Sequence, residues 1–421
     1  MSSENENKGK RYVVVEEGII RPTDPKPHNL RPRLPGDYPQ VPKAHIDAAV
    51  TLSTPLLNNP PLCDELVAFV QHLWTEEEAA LVRHLHPFRG TSCADLARVE
   101  GRTAEEVEAV LHKLETEKRS IKSSGSGARK RYRLKRVLGE IFEETLMGYD
   151  PDSLSDWHLR FIELWEDLFM TGWMLDYQQA YQMSSARVVP LSETIQASQV
   201  ALPFDKLETI MESYDRFGVT NCQCRMSARV LGNGCDKPLS NCLLMGEWVE
   251  KGVGEGRYTE ISRRDALEIK AEAAANGLVS WVVNIQESKG QASCSCCACC
   301  CYNFRLVTEF DCPTIIAPPH FIPRVDASLC TYCGKCAKAC PTAALTVDTR
   351  AKKHSRSPER CIGCGLCMVS CTKAKAVTMV PALDYRKPPK NMFSLIAKQT
   401  PGFLKQAWKV TRKYKSEAQR Q

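Results

Sequence analysis

The sequence predicts a multidomain α+β protein. Three observations carry this reading. A four-cysteine spacing occurs twice between residues 330 and 371. Three helix-start signals follow one another between residues 75 and 106, ahead of an extended basic run. Another helix start and a β-rich run lie among eleven further cysteines between residues 200 and 320.

The 421 residues leave room for several domains and a sizeable core. An apolar content of 43% and a charged content of 25% are ordinary for a globular chain, which excludes collagen-like and wholly disordered classes. No run approaches the roughly 20 apolar residues that span a bilayer. The opening Met1-Ser2-Ser3-Glu4-Asn5-Glu6-Asn7 has neither a basic nor an apolar leader region, so the expected location is the cytoplasm. Cysteine is the departure: 19 of the 21 fall between Cys222 and Cys371. In an unexported chain this favours metal ligation over disulfides.

The net charge of +6 is unevenly placed. Residues 118–136 carry a net +9, residues 386–421 another +9, and the rest −12. Two basic segments on an acidic body suit nucleic acid, an anionic membrane or an acidic partner, or they are a solvated loop and tail.

Residues 1–62 hold ten prolines and read as an extended arm. Residues 63–147 read as a helical module. Thr75 with Glu78 and Thr103 with Glu106 have capping-box spacing, and Ser92 with Asp95 gives a weaker start. The run Ser120 to Leu134, turned at Ser123-Ser124-Gly125-Ser126-Gly127, reads as a basic hairpin. Three short helices and a hairpin resemble a winged helix-turn-helix. That resemblance implies DNA binding, but the third helix carries Glu105, Glu106, Glu108, Glu115 and Glu117, which a phosphate backbone repels. Docking a partner or a twin subunit is the preferred role, with DNA left open through Arg129, Lys130, Arg131 and Arg133. Residues 148–199 read as an aromatic helical linker with Trp157, Phe161, Leu164, Trp165, Leu168, Phe169 and Trp173 on one helix.

Residues 321–385 give the strongest signal. Cys330, Cys333, Cys336 and Cys340 have the spacing C-x2-C-x2-C-x3-C followed by Pro341. Cys361, Cys364, Cys367 and Cys371 repeat it, with Thr372 in place of the proline. Three thiolates three positions apart on a tight loop can each reach one iron of a cubane. The fourth begins a helix pointing away and serves a second cluster. Gly334, Gly363 and Gly365 are expected to bring the backbone close to sulfide. The motif resembles the bacterial dicluster ferredoxins. That resemblance implies one 4Fe–4S cluster on Cys330, Cys333, Cys336 and Cys371, and another on Cys361, Cys364, Cys367 and Cys340. Paired zinc sites are the alternative.

Residues 200–320 read as a cysteine-rich α/β domain, with a helix from Arg263 to Ala275 and a strand from Val279 to Val283. The candidate ligands are Cys222, Cys224, Cys235, Cys242, Cys294, Cys296, Cys297, Cys299, Cys300 and Cys301. A thiolate-rich nest suits iron–sulfur or another soft metal. Adjacent cysteines diverge, so only some of the last six are expected to bind. Arg225, beside Cys222 and Cys224, reads as a counter-charge for a thiolate cluster or as a surface salt-bridge partner, with no catalytic role expected. The CxCR, Cys-x6-Cys and CCxCCC elements ahead of two ferredoxin motifs resemble multi-cluster iron–sulfur proteins of anaerobic bacteria. This implies a third iron–sulfur cluster; zinc or a redox-active thiol cluster is the alternative. No H-x-x-x-H pair, GxGxxG turn or P-loop is present. The tail, residues 386–421, reads as a basic amphipathic segment interrupted by Pro401, for an anionic membrane, an acidic partner or the protein's own body.

The expected function is single-electron relay through two 4Fe–4S clusters to or from a central metal centre, with a redox protein or an oxidoreductase subunit as partner. Two rivals remain: a redox-sensing winged-helix regulator, and an iron–sulfur reductase with its substrate at the central cluster.

Overall fold

The computed structural model describes residues 12–180, 184–195, 198, 200–313 and 316–420. The chain forms two compact units. One comprises Met1–Lys26 and Tyr181–Thr400, the other Pro27–Ala180 and Pro401–Gln421.

The second unit is mainly helical, with helices Lys43–Leu52, Asp64–Leu73, Glu76–Val82, Cys93–Glu100, Ala104–Thr116 and Asp156–Met170 among its elements. Local chemistry starts three of them. The Thr75 hydroxyl accepts the Glu78 N–H at 3.3 Å and the Glu78 carboxylate accepts the Thr75 N–H at 2.8 Å. Thr103 and Glu106 do the same at 3.2 and 3.0 Å. Ser92 Oγ accepts the Asp95 N–H at 3.1 Å. Strands Ile121–Ser124 and Arg131–Leu134 pair antiparallel. The core joins helix Asp64–Leu73 to helix Asp156–Met170, with the Phe69 and Phe161 rings 5.3 Å apart.

Three expectations need correction here. Residues 43–52 lie in the span read as an extended arm but form a helix with Ala48, Ala49 and Leu52 fully buried. Prolines stop at Pro42, its N-cap, and resume at Pro55, leaving twelve proline-free residues of which ten wind into the helix. The aromatic helix ends at Met170; Trp173 lies in the following 3-10 segment Trp173–Ala180, yet it is buried and donates its indole N–H to Asn58 O at 3.0 Å. Pro401 does not end the last helix, which runs Met392–Ala418. Its second half buries Ala407, Val410 and Tyr414, and Tyr414 Oη donates to Asp176 at 2.9 Å.

The first unit is built on a six-stranded sheet. Its order is Ala186–Val188, Val279–Val283, Gly290–Cys296, Ser240–Gly246, Phe217–Asn221, Thr259–Ile261, and every pairing is antiparallel. Helix Arg263–Ala275 starts on the Ser262–Asp265 capping box. Helices Gln223–Val230 and Tyr302–Phe310 each begin beside a cysteine, with Cys222 and Cys301 as their N-caps. The edge strand Ala186–Val188 comes from the span read as a linker.

The same unit contains the repeated cysteine runs. Phe321–Val325 pairs with Val377–Pro381, joining the start of the first repeat to the end of the second. Leu345–Asp348 pairs with Lys353–Arg356 on one side and Ile19–Pro22 on the other, with Val347 opposite Ile20. Ile19–Pro22 forms a hairpin with Val13–Glu16. Residues 13–22, also read as arm, are therefore two added strands that cover a sheet edge.

Candidate metal centres

Each repeat places two cysteines on a loop, the third inside a short helix and the fourth just past that helix, so the fourth follows a helix end and does not begin a helix as expected. Those helices are Lys335–Ala339 before Cys340 and Leu366–Val369 before Cys371. Cys330, Cys333, Cys336 and Cys371 line one cavity, walled by Val325, Tyr332, Val347 and Val377. Cys361, Cys364, Cys367 and Cys340 line a second of about 310 Å³ counted to its mouth, with Pro323, Leu345, Ile362 and Met379. The last cysteine of each run thus faces the other run's cavity.

The donor set fits an iron–sulfur group. Four soft sulfurs face each cavity within mostly apolar walls. Backbone N–H groups aim at the sulfurs: Ala344 N to Cys340 at 3.2 Å, Ala376 N to Cys371 at 3.3 Å and Tyr332 N to Cys330 at 3.4 Å. Burial pushes the Cys364 thiol well up, so a bound cation is what would favour its thiolate. Gly334 has φ 73°, and a Cβ there would sit 1.9 Å from Ile20 Cδ1. At Gly363 a Cβ would meet Phe321 O at 2.3 Å. Neither position has room for a side chain.

The ten central candidates separate into two groups. The first is compact: Cys235, Cys297, Cys299 and Cys300, whose Sγ atoms all lie within 4.8 Å of one another. Cys297–Cys300 occupy the tight turn between strand Gly290–Cys296 and helix Tyr302–Phe310. That turn curls adjacent Cys299 and Cys300 to a 3.7 Å Sγ separation, against the expected divergence, whereas Cys296 and Cys297, and Cys300 and Cys301, do diverge to different groups. Arg225 is fully buried, which excludes the surface salt-bridge reading and leaves that of a counter-charge to thiolates. It donates to Ser295 O at 2.9 Å and to Cys297 Sγ at 3.8 Å, and also to Pro238 O. Thiol hydrogen bonds from Cys235, Cys299 and Cys300, then the Arg225 charge, hold Cys297 far below the usual thiol range.

The second group is a more open nest of Cys222, Cys224, Cys242, Cys294, Cys296 and Cys301. Cys294 and Cys296 project from one face of strand Gly290–Cys296. Cys242 lies 3.6 Å from Cys294, and Cys224 is within hydrogen-bond reach of Cys222 and Cys301. Cys222 and Cys301 cap two helix N-termini, but the Cys224 sulfur and burial hold the Cys222 thiol well above the usual thiol range, while hydrogen bonds with Cys224 and Cys296 bring Cys301 down to about 6. Sequence reasoning missed Trp281 and Lys270, whose isolated positions carry no motif. Trp281 Nε1–H donates to Cys296 Sγ at 2.6 Å. Buried Lys270 donates to Ser293 O, Cys294 O and Ser295 Oγ at 3.0, 3.1 and 2.9 Å. Desolvation pulls its ammonium down to about 8, against the pull of Cys294 and Cys242.

The nest and the second ferredoxin cavity share one apolar core. Cys296, Cys301 and Cys364 pack in a cluster with Phe304, Val307, Ile362 and Leu366. Arg360 braces it, donating to Asp311 at 2.9 Å and to Val307 O at 3.0 Å.

In the helical unit, the basic hairpin meets the acidic helix that precedes it. Lys130 is 3.3 Å from Glu108 and 3.7 Å from Glu115, and Arg131 is 3.2 Å from Asp95. Much of the hairpin's positive charge is thus balanced within the unit.

Comparison with known proteins gives one family match: the model of the 4Fe-4S dicluster domain matches residues 322–376. No curated protein and no solved structure gives a significant match. With the cysteine-lined cavities, the family match supports an iron–sulfur protein in electron transfer. Among the described residues, no helix is long and apolar enough to cross a membrane.

Proposed function

We propose that the chain relays single electrons between two 4Fe–4S clusters and a third, iron–sulfur centre in the six-thiol nest. The clusters take Cys330, Cys333, Cys336 and Cys371, and Cys361, Cys364, Cys367 and Cys340. The third takes its ligands from Cys222, Cys224, Cys242, Cys294, Cys296 and Cys301. The observation that carries the reading is the apolar core common to Cys364, Cys296 and Cys301. Such a core keeps water from the sulfurs and holds two thiol-lined sites in a fixed relation.

Bound 4Fe–4S clusters supply one-electron redox chemistry. The chain's residues do the rest. Thiolates anchor, the N–H groups of Ala344, Ala376 and Trp281 stabilise negative charge on sulfur, and buried Arg225 and Lys270 offset the thiolates. Exposed Leu404 and Trp408 on the basic second half of the last helix support docking of a redox partner there.

Iron and sulfide analysis of the anaerobically purified full chain tests the reading. About twelve irons with about twelve sulfides support three cubanes, and about eight of each sink the third. Replacing Cys222 and Cys224 together by Ala should remove about four irons and leave the two ferredoxin-type paramagnetic signals.

A further inference from the structure

The compact cysteine group has the dimensions of a different kind of site. Four sulfurs about 2.3 Å from one tetrahedral ion lie about 3.8 Å apart along every edge. Cys235 Sγ is 3.8 Å from both Cys297 and Cys300, and Cys299 is 3.7 Å from Cys300. Ligands of a cubane sit on four separate irons with sulfide between them, so their sulfurs are spread more widely. Among the described residues, Cys235, Cys297, Cys299 and Cys300 are the one metal-ligating set with every donor within 4.8 Å of the others. Neither ferredoxin set nor the six-thiol nest is that compact, and the group leaves no space for inorganic sulfide.

We propose that Cys235, Cys297, Cys299 and Cys300 bind one zinc ion, without sulfide, as a centre separate from the iron–sulfur sites. Four thiolates close the coordination sphere, as structural zinc sites require. They leave a net charge of −2 on the complex, and the buried Arg225 guanidinium at Cys297 offsets part of it. The ion fastens the 297–300 turn to Cys235, in the segment after helix Gln223–Val230. The turn joins Cys294 and Cys296 on the strand to Cys301 at the helix start, so this site sets the spacing of half of the nest. The proposal does not depend on the electron-transfer reading.

The test uses the full chain, purified anaerobically. Zinc analysis should give one zinc per chain. X-ray absorption at the zinc edge should give four sulfurs at about 2.3 Å and no neighbouring metal. Cys299→Ser and Cys235→Ser should each lose that zinc and keep the parent's iron and sulfide content. Absence of zinc from the parent protein overturns the proposal, as does a metal neighbour in its absorption spectrum. So does loss of iron and sulfide together in serine variants whose circular dichroism matches the parent. Iron near eight or near twelve decides the third cluster separately, so the two proposals fail independently.

Discussion

The indole N–H of Trp281 points at the Cys296 sulfur from 2.6 Å. The two residues sit on neighbouring antiparallel strands, Val279–Val283 and Gly290–Cys296. A hydrogen bond to a ligating sulfur stabilises the more negative, reduced state of its cluster. Trp281→Phe keeps the packing and removes the donor. The nest centre should then become more negative by about 60 mV, the equivalent of about 1.4 kcal/mol for one electron. A potentiometric titration followed by paramagnetic resonance measures this, and the two ferredoxin potentials should stay in place.

Cys340 lines the cavity of the second run, and Cys371 that of the first. Cys340→Ala should therefore perturb the same cluster signal as Cys367→Ala, and Cys371→Ala the same signal as Cys336→Ala. Resonance spectra of the four variants check the exchange. It is wrong if Cys340→Ala instead reproduces Cys336→Ala.

Gly334 faces Ile20 of the N-terminal hairpin across a gap that has no room for a methyl group. Its φ of 73° adds about 1–2 kcal/mol of left-handed strain for any other L-residue. Gly334→Ala should loosen the pairing of Ile19–Pro22 with Leu345–Asp348. Limited proteolysis reads the change as faster cleavage between residues 13 and 22. An unchanged cleavage rate would mean that Ile20 moves aside without loss.

Glu78 makes part of the helical unit's stability pH-dependent. Burial raises its pKa, but Lys118 at 2.5 Å, the Thr75 N–H and Lys113 together bring it below the usual carboxylate range. A carboxylate with a lowered folded pKa stabilises above its unfolded value of about 4.3, and the contribution fades as pH falls through the folded value. Glu78→Gln should cost about 3 kcal/mol at pH 7, since Lys118 loses a nearly buried partner. The parent–variant gap should begin to shrink as pH falls below about 4.3 and close only below the lowered folded value, in urea unfolding followed by circular dichroism. A gap independent of pH would assign the loss to the cap alone.

The helix starts were legible because capping chemistry is local: Thr75–Glu78, Thr103–Glu106 and Ser262–Asp265 all form as their three-residue spacing dictates. The twofold cysteine run was legible because its spacing is itself the ligand geometry. Lys270 and Trp281 were invisible, since each acts on sulfurs distant in sequence. Arg225 was legible as a counter-charge to thiolates, but its burial was not, because burial is not a property of a single residue type.

The sequence by itself determined that the chain carries the cysteine runs of an iron–sulfur protein and where they lie. Short-range spacing encodes those things, and solvent and partners elsewhere in the chain do not alter them. Only the tertiary structure decided how ten central cysteines divide into a compact four and an open six. That division depends on where strand Gly290–Cys296, the turn after it and the segments around Cys222, Cys235 and Cys242 come together. Those meetings are set by antiparallel pairing and apolar packing over tens of residues, and no local pattern records them.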